Sequence, residues 1–188
     1  ILKKYFAEAG LSSGYRHLAE LVKKGFLNTI LTTNLDPFVE NAISDDRTNG
    51  VDVVVCGEQR GAETMDVPTN GHAQVKVVKL HGDVEARSFA FTPSEITVFG
   101  SDSERILRHY LSHDIIIVGH GPRDYDINRA IEREGGSIWY VGQTPPSTEE
   151  PLYHAMRARR TQANIIIGEF GWFDEFFDAL YDELMRLQ

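Results

Sequence analysis

Short apolar runs alternate with amphipathic stretches along the whole chain, and this alternation constrains the fold more than any other feature of the sequence. Asn28–Thr33, Val51–Cys56, Gln74–Leu80, Asp114–Val118, Ser137–Val141 and Asn164–Ile167 have the length and composition of strands. Helix-period stretches lie between or beside them: residues 1–9, 14–24, 37–43, 103–112, 126–134, 149–160 and 172–187. Strands that alternate with helices fold as a mostly parallel sheet flanked by helices. The expectation is one α/β domain over residues 1–188. Asp114–Val118 is so apolar that it reads as a buried central strand. A short strand is expected at 88–91, and a capping box, Thr92 to Glu95, predicts a helix starting at Pro93. Phe173, Phe176, Phe177, Leu180 and Leu184 give the last helix one apolar face.

Composition excludes several classes of function. No apolar run approaches the roughly 18 residues of a membrane span. The net charge of −9, from 19 basic and 28 acidic residues, disfavours a nucleic-acid backbone as partner. The densest basic run, Arg157, Arg159 and Arg160, reads as a solvated helix end. A single cysteine, Cys56, rules out a disulfide framework and a cysteine zinc site. It also fits a reducing compartment such as the cytoplasm. The histidines have no metal-ligand spacing, so no metal is expected. Because the chain opens on Ile1, it is expected to be part of a longer protein with other domains.

Ligands of open α/β sheets bind outside the carboxyl ends of the strands. Three strand ends here carry polar or glycine-rich sequence: Thr32-Thr33-Asn34-Leu35-Asp36, Leu80-His81-Gly82-Asp83 and Gly119-His120-Gly121. Together they would line one cleft. Asn34 and Asp36 could cap the following helix or meet a ligand. His81 could be a structural histidine or a general base, with Asp83 orienting it or capping a turn. Gly82 would let the backbone turn sharply. Asp126 reads first as a helix N-cap, and Gly142 and Gln143 as a strand-end loop or a ribose contact.

The order of these motifs resembles that of the sirtuin, or SIR2-like, superfamily. Thr32-Thr33-Asn34-Leu35-Asp36 is similar to its T-Q-N-I-D strand end. Lys79-Leu80-His81-Gly82 resembles the segment holding its catalytic histidine, and Val118-Gly119-His120-Gly121 its G-T-S turn. The run from Gly119 to Asp126-Ile127 looks closest to a bacterial, zinc-less branch, and Ile138–Gln143 is similar to a later strand. This resemblance implies a Rossmann-like, DHS-like NAD/FAD-binding fold that takes NAD or ADP-ribose. It also implies roles. Asn34 would contact the nicotinamide ribose and position a water, Asp36 would hold the nicotinamide amide, and His81 would be the base. Thr33, Gly119, His120, Gly121, Asp126, Gly142 and Gln143 would complete the NAD contacts. The implied activity is NAD hydrolysis, in bacterial defence, with non-catalytic sensing of NAD or ADP-ribose, or protein interaction, as the alternative.

Departures from the family pattern carry their own expectations. The interval from Gly82 to Val118 has no cysteine, so the zinc module of the deacylases is absent and protein deacylation is not expected. Thr33 stands for a glutamine, and His120 for a small hydroxyl residue that would lie by the phosphates. No G-A-G-x-S loop precedes Tyr5, which predicts poor NAD binding by this segment alone and a sheet edge prone to self-association.

Overall fold

A computed structural model describes residues 10–44, 51–55, 75–83, 88–89, 101–120, 124–131, 134–159 and 162–188. The expected helices at 1–9 and Pro93 lie outside these residues. The chain divides into two compact units, Ile1–Ile96 with Leu180–Gln188, and Thr97–Ala179. The fold is α/β, with parallel sheets and helices between their strands.

The first unit begins with helix α1, Ser13–Lys23, which buries Leu18, Leu21 and Val22 along one face. Its end is closed by two backbone bonds: Gly25 N–H donates to the Val22 carbonyl and Phe26 N–H to that of Leu21. Strands β1 (Thr29–Thr32), β2 (Val51–Val55) and β3 (Val75–Lys79) form a parallel sheet in the order β1-β3-β2. β3 is central and carries buried Val75, Val77 and Val78. Helix α2, Phe38–Ser44, connects β1 to β2 and buries Val39 and Ile43. A two-residue pair, β4 (Gly82–Asp83) with β5 (Ser88–Phe89), follows β3.

The second unit starts with helix α3, Ser101–Leu111, and strand β6, Ile115–Val118. Helix α4 (Tyr125–Ala130), strand β7 (Ile138–Val141), helix α5 (Pro151–Ala158) and strand β8 (Ala163–Ile166) complete the alternation. The sheet is parallel in the order β6-β7-β8. Two expectations are corrected here. Within this sheet β6 is an outer strand with Ile116 38 % exposed, and the buried central strand is β7. An apolar run fixes a strand but not its place in the order. The second correction concerns Arg159, which is buried: its Nη1 donates to the Glu134 carbonyl at 2.9 Å and its Nη2 to the Leu111 carbonyl at 2.7 Å. α5 has ended before it, so its guanidinium turns inward to the carbonyl that closes α3, whereas Arg157 is exposed.

Helix α6, Phe173–Arg186, follows a single 3-10 turn at Gly168–Gly171. Phe176 and Phe177 are buried, and Phe177 packs edge-on against Phe173 at 4.9 Å between ring centres. In the first unit, Tyr181 of α6 stacks on His17 of α1 at 4.5 Å and 10°. Among the described residues, no helix is long and apolar enough to cross a membrane.

Candidate functional site

β1 and β3 run parallel with Thr32 opposite Lys79, and Leu80 N–H donates to the Thr32 carbonyl at 2.8 Å. The register therefore sets the turn after Thr32 beside the turn after Leu80. Asn34 and His81 come from adjacent strand ends of one sheet, the location expected of a ligand site in this architecture. Thr33 is partly exposed and Asn34 exposed, while His81 is only 9 % exposed. Thr32 shapes the first turn, its hydroxyl accepting a bond from Asn34 N–H at 3.1 Å. Asp36 serves α2: its carboxylate accepts a bond from Phe38 N–H at 3.1 Å, the side-chain cap that satisfies a free amide of the first helical turn.

The second turn needs glycine. Gly82 has φ +104° and Gly119, in the other unit, has φ +64°, both in the region that L side chains avoid. Gly82 passes directly to Asp83, whose carboxylate pairs with the Lys79 ammonium at 2.5 Å. That pairing differs from both roles expected of Asp83, orienting the imidazole or capping a turn.

Lys79 and Glu40 also have a role here that was not expected from the sequence. Lys79 is fully buried and its Nζ lies 2.7 Å from a Glu40 carboxylate oxygen. Burial pulls its pKa down, but hydrogen bonds and charge from Asp83 and Glu40 outweigh that and raise it above the ordinary lysine value. The available signal was a lysine inside Val75-Lys76-Val77-Val78-Lys79-Leu80: a cation in a buried strand requires an anionic partner elsewhere in the chain.

A second group of expected residues lies at strand ends of the other unit. Gly119 follows β6 and its N–H donates to the Val141 carbonyl at 3.3 Å, which sets it beside Gly142 at the end of β7. Gly142 is buried, and Gly171 rests against its carbonyl so closely that a side chain at 171 would collide with it. Gln143 is exposed. His120 turns back on α4: Nε2 is 2.8 Å from Asn128 Oδ1, and Nδ1 is 3.2 Å from an Asp124 carboxylate oxygen. These contacts are one helical turn apart and hold the ring in one orientation.

They also correct the reading of Asp126 as N-cap. Asp124 occupies that position, its carbonyl accepting a bond from Asn128 N–H, and its carboxylate faces His120 and caps no helix amide. Asp126 falls in the first helical turn. Gly121 lies outside the described residues. Among the described residues, no three His, Cys, Asp or Glu side chains gather as a metal site.

A family model described as SIR2-like domain matches residues 28–157, more than half of the chain and parts of both units. No curated protein matches the chain.

Proposed function

The chain belongs to the SIR2-like domain family, and from that premise we propose that it hydrolyses NAD at the bond between nicotinamide and ribose. The supporting observation is the parallel register of β1 and β3, which sets Asn34 and His81 at neighbouring strand ends. In the proposed reaction, the C1′–N bond breaks and its electron pair leaves with nicotinamide. A water adds to C1′, and its proton passes to solvent. Asn34 is exposed and would orient that water with its side-chain amide. His81, largely sheltered from solvent, would draw a proton from a ribose hydroxyl and so stabilise the cationic sugar.

Asp36, with one carboxylate oxygen committed to Phe38, would offer the other to the nicotinamide amide. Thr33 beside it would complete that side of the nucleotide. Gly119, His120, Gly121, Asp126, Gly142 and Gln143 carry the family's expectation for the phosphates and adenosine. His120 meets it only if its ring leaves Asp124 or Asn128, and that observation favours the second reading, recognition of NAD or ADP-ribose without turnover.

Nicotinamide release separates the two. With the full natural protein, NAD should yield free nicotinamide, and His81→Ala should slow this about a hundredfold or more. Calorimetric binding of NAD without release would establish the sensor instead, and equal release by His81→Ala would remove His81 from the reaction.

A further inference from the structure

Lys79 stands two residues before His81, in the strand whose end carries the site. Its ammonium meets four oxygens from three places in the chain. Besides Glu40 of α2 at 2.7 Å and Asp83 at 2.5 Å, it donates to the Asp36 carbonyl at 2.7 Å and reaches the Leu35 carbonyl at 3.4 Å. One carboxylate would neutralise a buried lysine. Here two meet it, one from α2 and one from the turn after His81. The carbonyl contacts add what an ion pair lacks: they hold the backbone of the turn after β1. Among the described residues, the buried Oε2 of Glu40 meets no hydrogen-bond donor, while Oε1 pairs with Lys79.

We propose that Lys79 is a positioning residue that ties the Asn34–Asp36 turn to the His81–Asp83 turn and thereby sets Asn34 relative to His81. Its bearing on catalysis rests on the reading that these two residues act on NAD; its hold on the two turns does not. An ammonium has three N–H groups, and here they are divided among the turn before α2, α2 itself and the turn after His81. Each of the two turns carries one of the residues proposed for the reaction. Lysine suits the task because its compact charge accepts partners from several directions, whereas the planar guanidinium of arginine demands a fixed fork.

Two variants test this. Lys79→Met removes the cation that Glu40 and Asp83 both meet, so it risks global unfolding. Lys79→Met combined with Glu40→Gln and Asp83→Asn removes all the charges and keeps the shapes. Backbone hydrogen exchange is followed across residues 33–38, with buried α1 as the internal standard for folding. In the triple variant, exchange at 33–38 should rise about tenfold or more while α1 stays protected. The rate constant for nicotinamide release should fall more than KM rises.

Unchanged exchange at 33–38 with α1 protected overturns the clamp, whatever the activity. Increased exchange with full turnover overturns its role in setting Asn34 and His81. If the wild-type protein releases no nicotinamide, the hydrolase reading fails while exchange still decides the clamp. Loss of α1 protection in the triple variant would show that the cluster holds the whole unit and would also overturn a role confined to the two turns.

Discussion

At Gly82 the backbone adopts φ +104° between a buried histidine and a carboxylate paired with a buried lysine. An L side chain there is strained by its own backbone, so Gly82→Ala should cost about 1–2 kcal/mol of stability in urea unfolding; an unchanged midpoint would contradict the conformation. Asp36→Ala removes the α2 cap and should cost about 1 kcal/mol. Much at this scale was legible in the sequence. A polar residue before Pro37 announced a cap, and a glycine after His81 announced a turn. What stayed hidden was pairing across sequence distance. Lys79 and Glu40 are separated by a strand and a long connection, and nothing local in either segment identifies the other. The partners of His120, Asp124 and Asn128, were hidden too, because the cap of α4 was expected at Asp126 and neither residue had an expected role.

Buried side-chain cations tie elements together by reaching backbone carbonyls. Arg159 does this in the second unit, bonding the last residue of α3 and the Glu134 carbonyl. Replacement by Met leaves those carbonyls without their charged donor, and Arg159→Met should destabilise the protein by about 2–3 kcal/mol in chemical unfolding. Arg157→Met, at an exposed position of α5, should change little. Element type was legible because the period of the apolar residues is a local property. α1 and α6 buried the faces their spacing indicated: Leu18, Leu21 and Val22 in one, Phe176 and Phe177 in the other. Strand order was not legible. Ile115–Val118 is more apolar than Ile138–Val141, yet the latter takes the centre of the sheet, where it bonds on both sides. Composition records how much apolar surface a strand offers, not which neighbours cover it.

At the scale of the whole molecule, each unit has its own parallel sheet and, among the described residues, an ionisable group with a raised pKa. In the first unit it is Lys79, charged among carboxylates. In the second it is Tyr140, whose phenol is kept neutral by burial and by the charge of Glu150. Both folded-state values lie above the unfolded ones. Their stabilising contributions are therefore complete below pH 10 and are lost as pH rises through the folded values. Thermal midpoints should hold steady, as far as these two groups are concerned, from neutral pH to about pH 10, then decline; Lys79→Met combined with Glu40→Gln and Asp83→Asn should remove the part of that decline due to Lys79.

The family match spans residues 28–157 and so includes strand ends from both units. The three motif-bearing strand ends were the clearest whole-chain signal in the sequence, and two of them meet in the sheet of the first unit. The account's central claim is that this pair of ends works on NAD. Release of nicotinamide by the full natural protein, compared with its His81→Ala variant, tests it most directly. The account predicts release by the natural protein and a loss of about a hundredfold or more in the variant. The same rate from both proteins, or none from a folded natural protein, would contradict it.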